Sequence, residues 1–128
     1  MRALQVTELL PDHAGTALAE VPVPQPGPGE VRVRVRAAAV NFPDLLMTRG
    51  DYQLKPPLPF VSGLEFSGEV DALGEGAADW QLGDAVVGGN RFGAMAEYCV
   101  APAAGLRAKP ERLTWEEAAA YPVAYLTA

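Results

Sequence analysis

Between Glu30 and Val40 the chain alternates without a break: Val31, Val33 and Val35 stand against Arg32, Arg34 and Arg36. A period of two puts the valines on one face of a strand and the arginines on the other, whereas the 3.6-residue helical repeat would scatter both sets. The run then turns continuously apolar through Ala37-Ala38-Ala39-Val40, as a strand does when it enters an interior. One half-buried strand is therefore fixed, and its arginines read as a solvated face rather than an anion site. Thirteen glycines and twelve prolines, spread between short apolar runs, require the rest to be short elements joined by turns.

Met1–Leu9 and Thr16–Val23 read as strands about a Pro11–Gly15 turn. Pro22–Gly29 is too proline-rich for a ladder and reads as a surface turn, lacking the remainder of a G-x-G-x-x-G phosphate loop. Asn41–Gly50 predicts a short helix: Asn41 at the N-cap, Pro43 and Asp44 in the first turn, Gly50 at the exit. A loop through Pro56–Pro59 follows, then Gly63–Gly68 leads into a strand over Glu69–Leu73. Further strands are expected at Ala85–Val87, Ala94–Val100 and from Leu106. Thr114-Trp115-Glu116-Glu117 has the spacing of a capping box, with Pro122 ending that helix and Val123–Ala128 opening another. About seven strands with glycine turns predict a mainly β fold with short helices, a partly open barrel.

A net charge of −6 disfavours nucleic acid as a partner. No run approaches the length of a membrane span and no leader is evident at Met1, so a cytoplasmic protein is expected. The single cysteine, Cys99, predicts a buried inert thiol, and the single histidine, His13, a surface turn residue. Neither has a second ligand at zinc spacing, so no metal is expected. G-x-S-x-G is absent, which argues against hydrolysis, and Glu116-Glu117 serve a helix N-terminus.

An ordered series of motifs covers nearly the whole chain. It comprises Val40-Asn41-Phe42-Pro43-Asp44, Arg49-Gly50-Asp51-Tyr52, Gly63-Leu64-Glu65-Phe66-Ser67-Gly68, Gln81-Leu82-Gly83-Asp84, Gly93–Tyr98 and Thr114–Val123. The series resembles the medium-chain dehydrogenase/reductase superfamily, and within it the zinc-free quinone oxidoreductase branch. The resemblance implies a GroES-like domain over residues 1–122 and, from 123–128, the start of a helix leading to a Rossmann domain that binds NADPH or NADH. It also implies hydride transfer to a small electrophilic acceptor (a quinone, enone or enoyl thioester) and a homodimer in the full-length protein. The chain by itself is then expected to be inactive. Where zinc-dependent relatives place ligands, this sequence has Asn41, Leu64 and Val123. The family sets an asparagine and a threonine near the nicotinamide, matching Asn41 and Thr127; Asn41 can equally be a plain helix cap. Tyr52 matches a proton donor of related enoyl-thioester reductases, or else anchors its loop. Glu65 is expected to be structural. The competing function class is a non-catalytic GroES-like interaction module.

Overall fold

A computed structural model describes residues 1–120. Its elements run β1 (Arg2–Val6), β2 (Thr16–Glu20), β3 (Glu30–Ala39), α1 (Phe42–Arg49), β4 (Phe60–Val61), β5 (Glu65–Leu73), β6 (Ala85–Gly89), β7 (Tyr98–Pro102) and β8 (Arg107–Ala108). Residues 115–120 are helical. The readings at Val123–Ala128, Thr127 among them, fall outside the described residues.

The strands form two antiparallel sheets, of order β2-β1-β4 and β7-β3-β5-β6-β8. Neither closes on itself, and they meet where Ala3 bridges Ala96. The expected mainly β, partly open architecture is therefore the one observed.

The central strand β3 buries its valines as the alternation requires. Val31 and Val33 are fully buried and pack with Phe66, Val70, Val86 and Ala101 into the main core. Each such side chain contributes about 1.5–3 kcal/mol by leaving water. The opposite face is not simply solvated. The β3–β5 register skips at Asp71 and again at Arg36, two β-bulges that bend the pair. There Arg32 meets Asp71 at 2.8 Å and Arg36 meets Glu69 at 2.6 Å, while Arg34 stays exposed.

Two strand boundaries differ from expectation for long-range reasons. β5 starts at Glu65, four residues early, because Gly68 lies against β3 so closely that a Cβ would strike the Arg34 backbone. β7 starts only at Tyr98. The preceding residues bond to the other sheet, Met95 N–H to Ser62 O at 2.8 Å and Leu4 N–H to Met95 O at 2.8 Å. The short strand β4 had no sequence signal. It pairs with β1 and brings Phe60 to a second, smaller core with Val6 and Met47.

Candidate functional site

Helix α1 begins and ends as its caps dictate. Asn41 is extended (φ −123°, ψ 162°) and Gly50 is left-handed (φ 80°), a conformation that costs a side-chain-bearing residue more. Asp44 reaches back to accept the Asn41 backbone N–H at 2.8 Å, and its own N–H donates to the Asn41 carbonyl at 3.0 Å. The Asn41 side chain, which completes the capping box, has a further partner. Its Nδ2 donates to Glu65 Oε1 at 2.9 Å, across to the first residue of β5.

That bond fixes the chemistry Asn41 can offer. A carboxyl oxygen accepts, so the amide nitrogen faces Glu65 and the amide oxygen faces the Asp44 N–H of the capping box, leaving one N–H for another partner. Both carboxyls that grip Asn41 are buried, Asp44 at 2% exposure and Glu65 at 1%. Burial pushes the Asp44 carboxyl above its ordinary value and the neighbouring Glu65 charge adds to this, while the Asn41 and Gly63 N–H groups pull it back. Glu65 is thus a buried carboxyl that has the Asn41 amide among the groups it holds.

Tyr52 lies just past the Gly50 exit. It packs beside Leu9, Leu64 and Phe92 on the small core of Val6, Met47 and Phe60. It is half-buried and also lines a cleft of about 490 Å³ with Gln53, Leu54, Leu64, Asn90 and Arg91. Anchor and cleft wall are therefore compatible roles. Leu64 borders Tyr52, and the next residue, Glu65, holds Asn41, so two of the predicted positions frame the same stretch of chain. A larger hollow of about 530 Å³ runs along Pro22, Pro24, Phe60, Phe92 and Tyr98, but contains neither Asn41 nor Tyr52. Its size alone gives it no chemistry.

The excluded candidates sit as the sequence suggested. Cys99 is buried on β7 and burial pushes its thiol up to about 12, so it is not a nucleophile. His13 is exposed in the turn before β2. Its Nδ1 lies 2.6 Å from Thr48 Oγ1, whose hydroxyl already donates to Leu45 O at 2.7 Å, so the imidazole N–H is the donor and clips that turn to α1. Among the described residues no three His, Cys, Asp or Glu side chains gather as a metal site. No helix among them is long and apolar enough to cross a membrane.

Sequence reasoning missed Asn90 and Arg91, which looked like part of a glycine turn. Asn90 uses its backbone N–H on Leu64 O at 2.6 Å, its Nδ2 on Val100 O at 2.8 Å and its Oδ1 on the Arg91 N–H at 3.1 Å. Nothing local could have revealed those three long- and short-range bonds.

Residues 27–111 match the family model of the alcohol dehydrogenase GroES-like domain. The mouse quinone oxidoreductase-like protein 2 is 47% identical over 89 residues, 70% of this chain and 25% of that protein. The crystal structure of the human synaptic vesicle membrane protein VAT-1 homolog-like protein superposes with a TM-score of 0.92 at 32% identity, covering 100% of this chain and 42% of that one. A mycobacterial protein solved in complex with NADPH gives 0.89 at 40% identity, over 99% and 39%. The chain spans about a quarter of the length of the curated relatives it matches.

Proposed function

Since the chain belongs to the alcohol dehydrogenase GroES-like domain family, we propose that it forms the acceptor-binding side of an NAD(P)H-dependent, zinc-independent oxidoreductase. The observation that carries this reading is the Asn41 amide, held by buried Glu65, the residue that follows Leu64 of the Tyr52 cleft. A neutral amide with an N–H to spare suits the carboxamide oxygen of a nicotinamide or an oxygen of the acceptor, and brings no charge. The nucleotide itself needs a glycine-rich turn leading into a helix N-terminus, which residues 1–120 do not supply. That part of the site belongs to a further domain, consistent with relatives much longer than this chain.

A bound nicotinamide would supply a hydride to one carbon of the acceptor, whose carbanion or enolate would then need one proton. In this reading Asn41 orients the reacting groups. The Tyr52 phenol offers the proton or a hydrogen bond as negative charge develops. Leu54 and Leu64 make part of the cleft wall apolar. The acceptors that fit are quinones, enones and enoyl thioesters.

Zinc has no part in this site. Zn²⁺ takes thiolate, imidazole or carboxylate ligands. Asn41 spends its amide nitrogen on Glu65, and Leu64 has only hydrocarbon to offer. Elemental analysis of desalted protein should find no stoichiometric zinc. About one zinc per chain, surviving removal of any affinity tag, would overturn the assignment.

A further inference from the structure

Arg91 is the only charged side chain among the residues that line the Tyr52 cleft. The surrounding backbone is fixed on both sides. Asn90 is bolted by its three hydrogen bonds, and Phe92 stacks edge-on against Phe60 with ring centres 6.1 Å apart. The position of residue 91 is therefore rigid, while its side chain is exposed and enters no ion pair among the described residues. In a chain of net charge −6 carboxylates are plentiful, and Arg2, Arg32, Arg36 and Arg49 each stand beside one. Arg34, Arg107 and Arg112 also lack an ion pair there, but none of them lines the cleft.

The rest of the lining has the same bias. Tyr52 offers a hydroxyl and Gln53 an amide, no acidic residue contributes, and the adjacent Asp51 is occupied by Arg49 at 3.3 Å. A guanidinium with no ion-pair partner among the described residues, bordering a cleft without carboxylates as well as the larger hollow that includes Glu30, is suited to an incoming anion. We infer that Arg91 is a specificity-determining residue: the cleft takes an electrophilic acceptor that carries an anionic group, a carboxylate, sulfonate or phosphate, and Arg91 pairs with that group. The inference rests on the acceptor-cleft reading above and narrows its substrate class from any quinone, enone or thioester to the anionic members.

Two redox-inert probes of nearly equal shape separate the charge from the rest of the molecule: trans-cinnamate and trans-cinnamamide. Each is titrated into the isotopically labelled chain and followed by amide chemical shifts. Cinnamate should bind about fivefold more tightly than the amide, the size of a partly exposed ion pair. It should perturb residues 52–54, 64 and 90–91, and its advantage should shrink in 0.5 M salt, where the Debye length falls to about 4 Å. Arg91→Gln should bring cinnamate to the affinity of cinnamamide and leave cinnamamide unchanged. Arg107→Gln removes the same charge from β8, outside the cleft, and should keep the preference.

Equal binding of the two probes to the wild-type cleft would overturn the Arg91 inference and leave the acceptor site standing. A preference that survives Arg91→Gln, or vanishes equally in Arg107→Gln, would overturn it as well. If neither probe shifts the cleft residues, the acceptor-cleft reading falls together with it.

Discussion

The five-stranded sheet and the α1–Tyr52 side of the molecule solve opposite problems. In the sheet, Val31, Val33, Phe66 and Val86 are fully buried, and the charges on the outer face pair with each other through Arg32–Asp71 and Arg36–Glu69. Around α1 the small core is kept company by buried polar groups, Asp44 and Thr48 on the helix and Ser62 after β4, and the sheet adds Glu65 and Ser67 from the near end of β5. Holding a carboxyl out of water costs stability unless its bonds are complete. Here buried Glu65 clamps one amide, Asn41, while Arg91 stands without an ion pair at the Tyr52 cleft. The sheet core carries the apolar packing, and the α1 side carries the residues proposed for the site.

The sharpest way to break that comparison is to exchange their sensitivities. Phe66→Ala, in the sheet core, should lose about 3–5 kcal/mol in denaturant unfolding. Arg91→Gln, exposed at the cleft, should stay within about 0.5 kcal/mol of wild type. Similar losses in both would mean that Arg91 is structural and that the division drawn here is false.

A smaller effect compares two carboxyls by the sign of their titration. Asp44 has its pKa raised from 3.8, mainly by burial, so the folded state holds the proton more firmly than the unfolded chain does. Its contribution to stability should improve as pH falls from neutral through the raised value, levelling off below 3.8. Glu117 is lowered from 4.5 because it accepts the Thr114 backbone N–H and makes a side-chain bond with Thr114. Its contribution is present above 4.5 and is lost as pH falls through the lowered value. Asp44→Asn keeps an acceptor for the Asn41 N–H and should remove only the first trend from a pH series of unfolding midpoints. Glu117→Gln should remove only the second. A pH profile unchanged in Asp44→Asn would show that this carboxyl is not the strained group of the α1 region.

The same division governs what could be read from the chain beforehand. The β3 alternation, the caps of α1 and the Thr114–Glu117 box are local patterns, and each is realised. The early start of β5 depends on Gly68 touching β3, and the late start of β7 on bonds from Met95 to the other sheet. Neither partner is near in sequence. The arginine face was legible as a face, but its ion pairs follow from two bulges that no alternation announces. For the site, Asn41 and Tyr52 were singled out through motif resemblance. What the resemblance did not contain was the Glu65 clamp on the Asn41 amide, nor Asn90 and Arg91, whose placement comes from bonds to Leu64 and Val100.

The central claim is that Tyr52 faces an acceptor at the moment hydride arrives, and Tyr52→Phe tests it most directly because it keeps the packed ring and removes only the hydroxyl. The assay is NADPH oxidation by the enzyme that carries this chain together with its nucleotide-binding domain. With an enone or enoyl thioester, kcat should fall about 100-fold, the usual worth of a positioned general acid, with NADPH affinity nearly unchanged. With a quinone, whose product oxygens can take protons from water, the loss should be small. Wild-type rates on every acceptor would contradict the claim, reducing Tyr52 to an anchor on the Val6–Met47–Phe60 core.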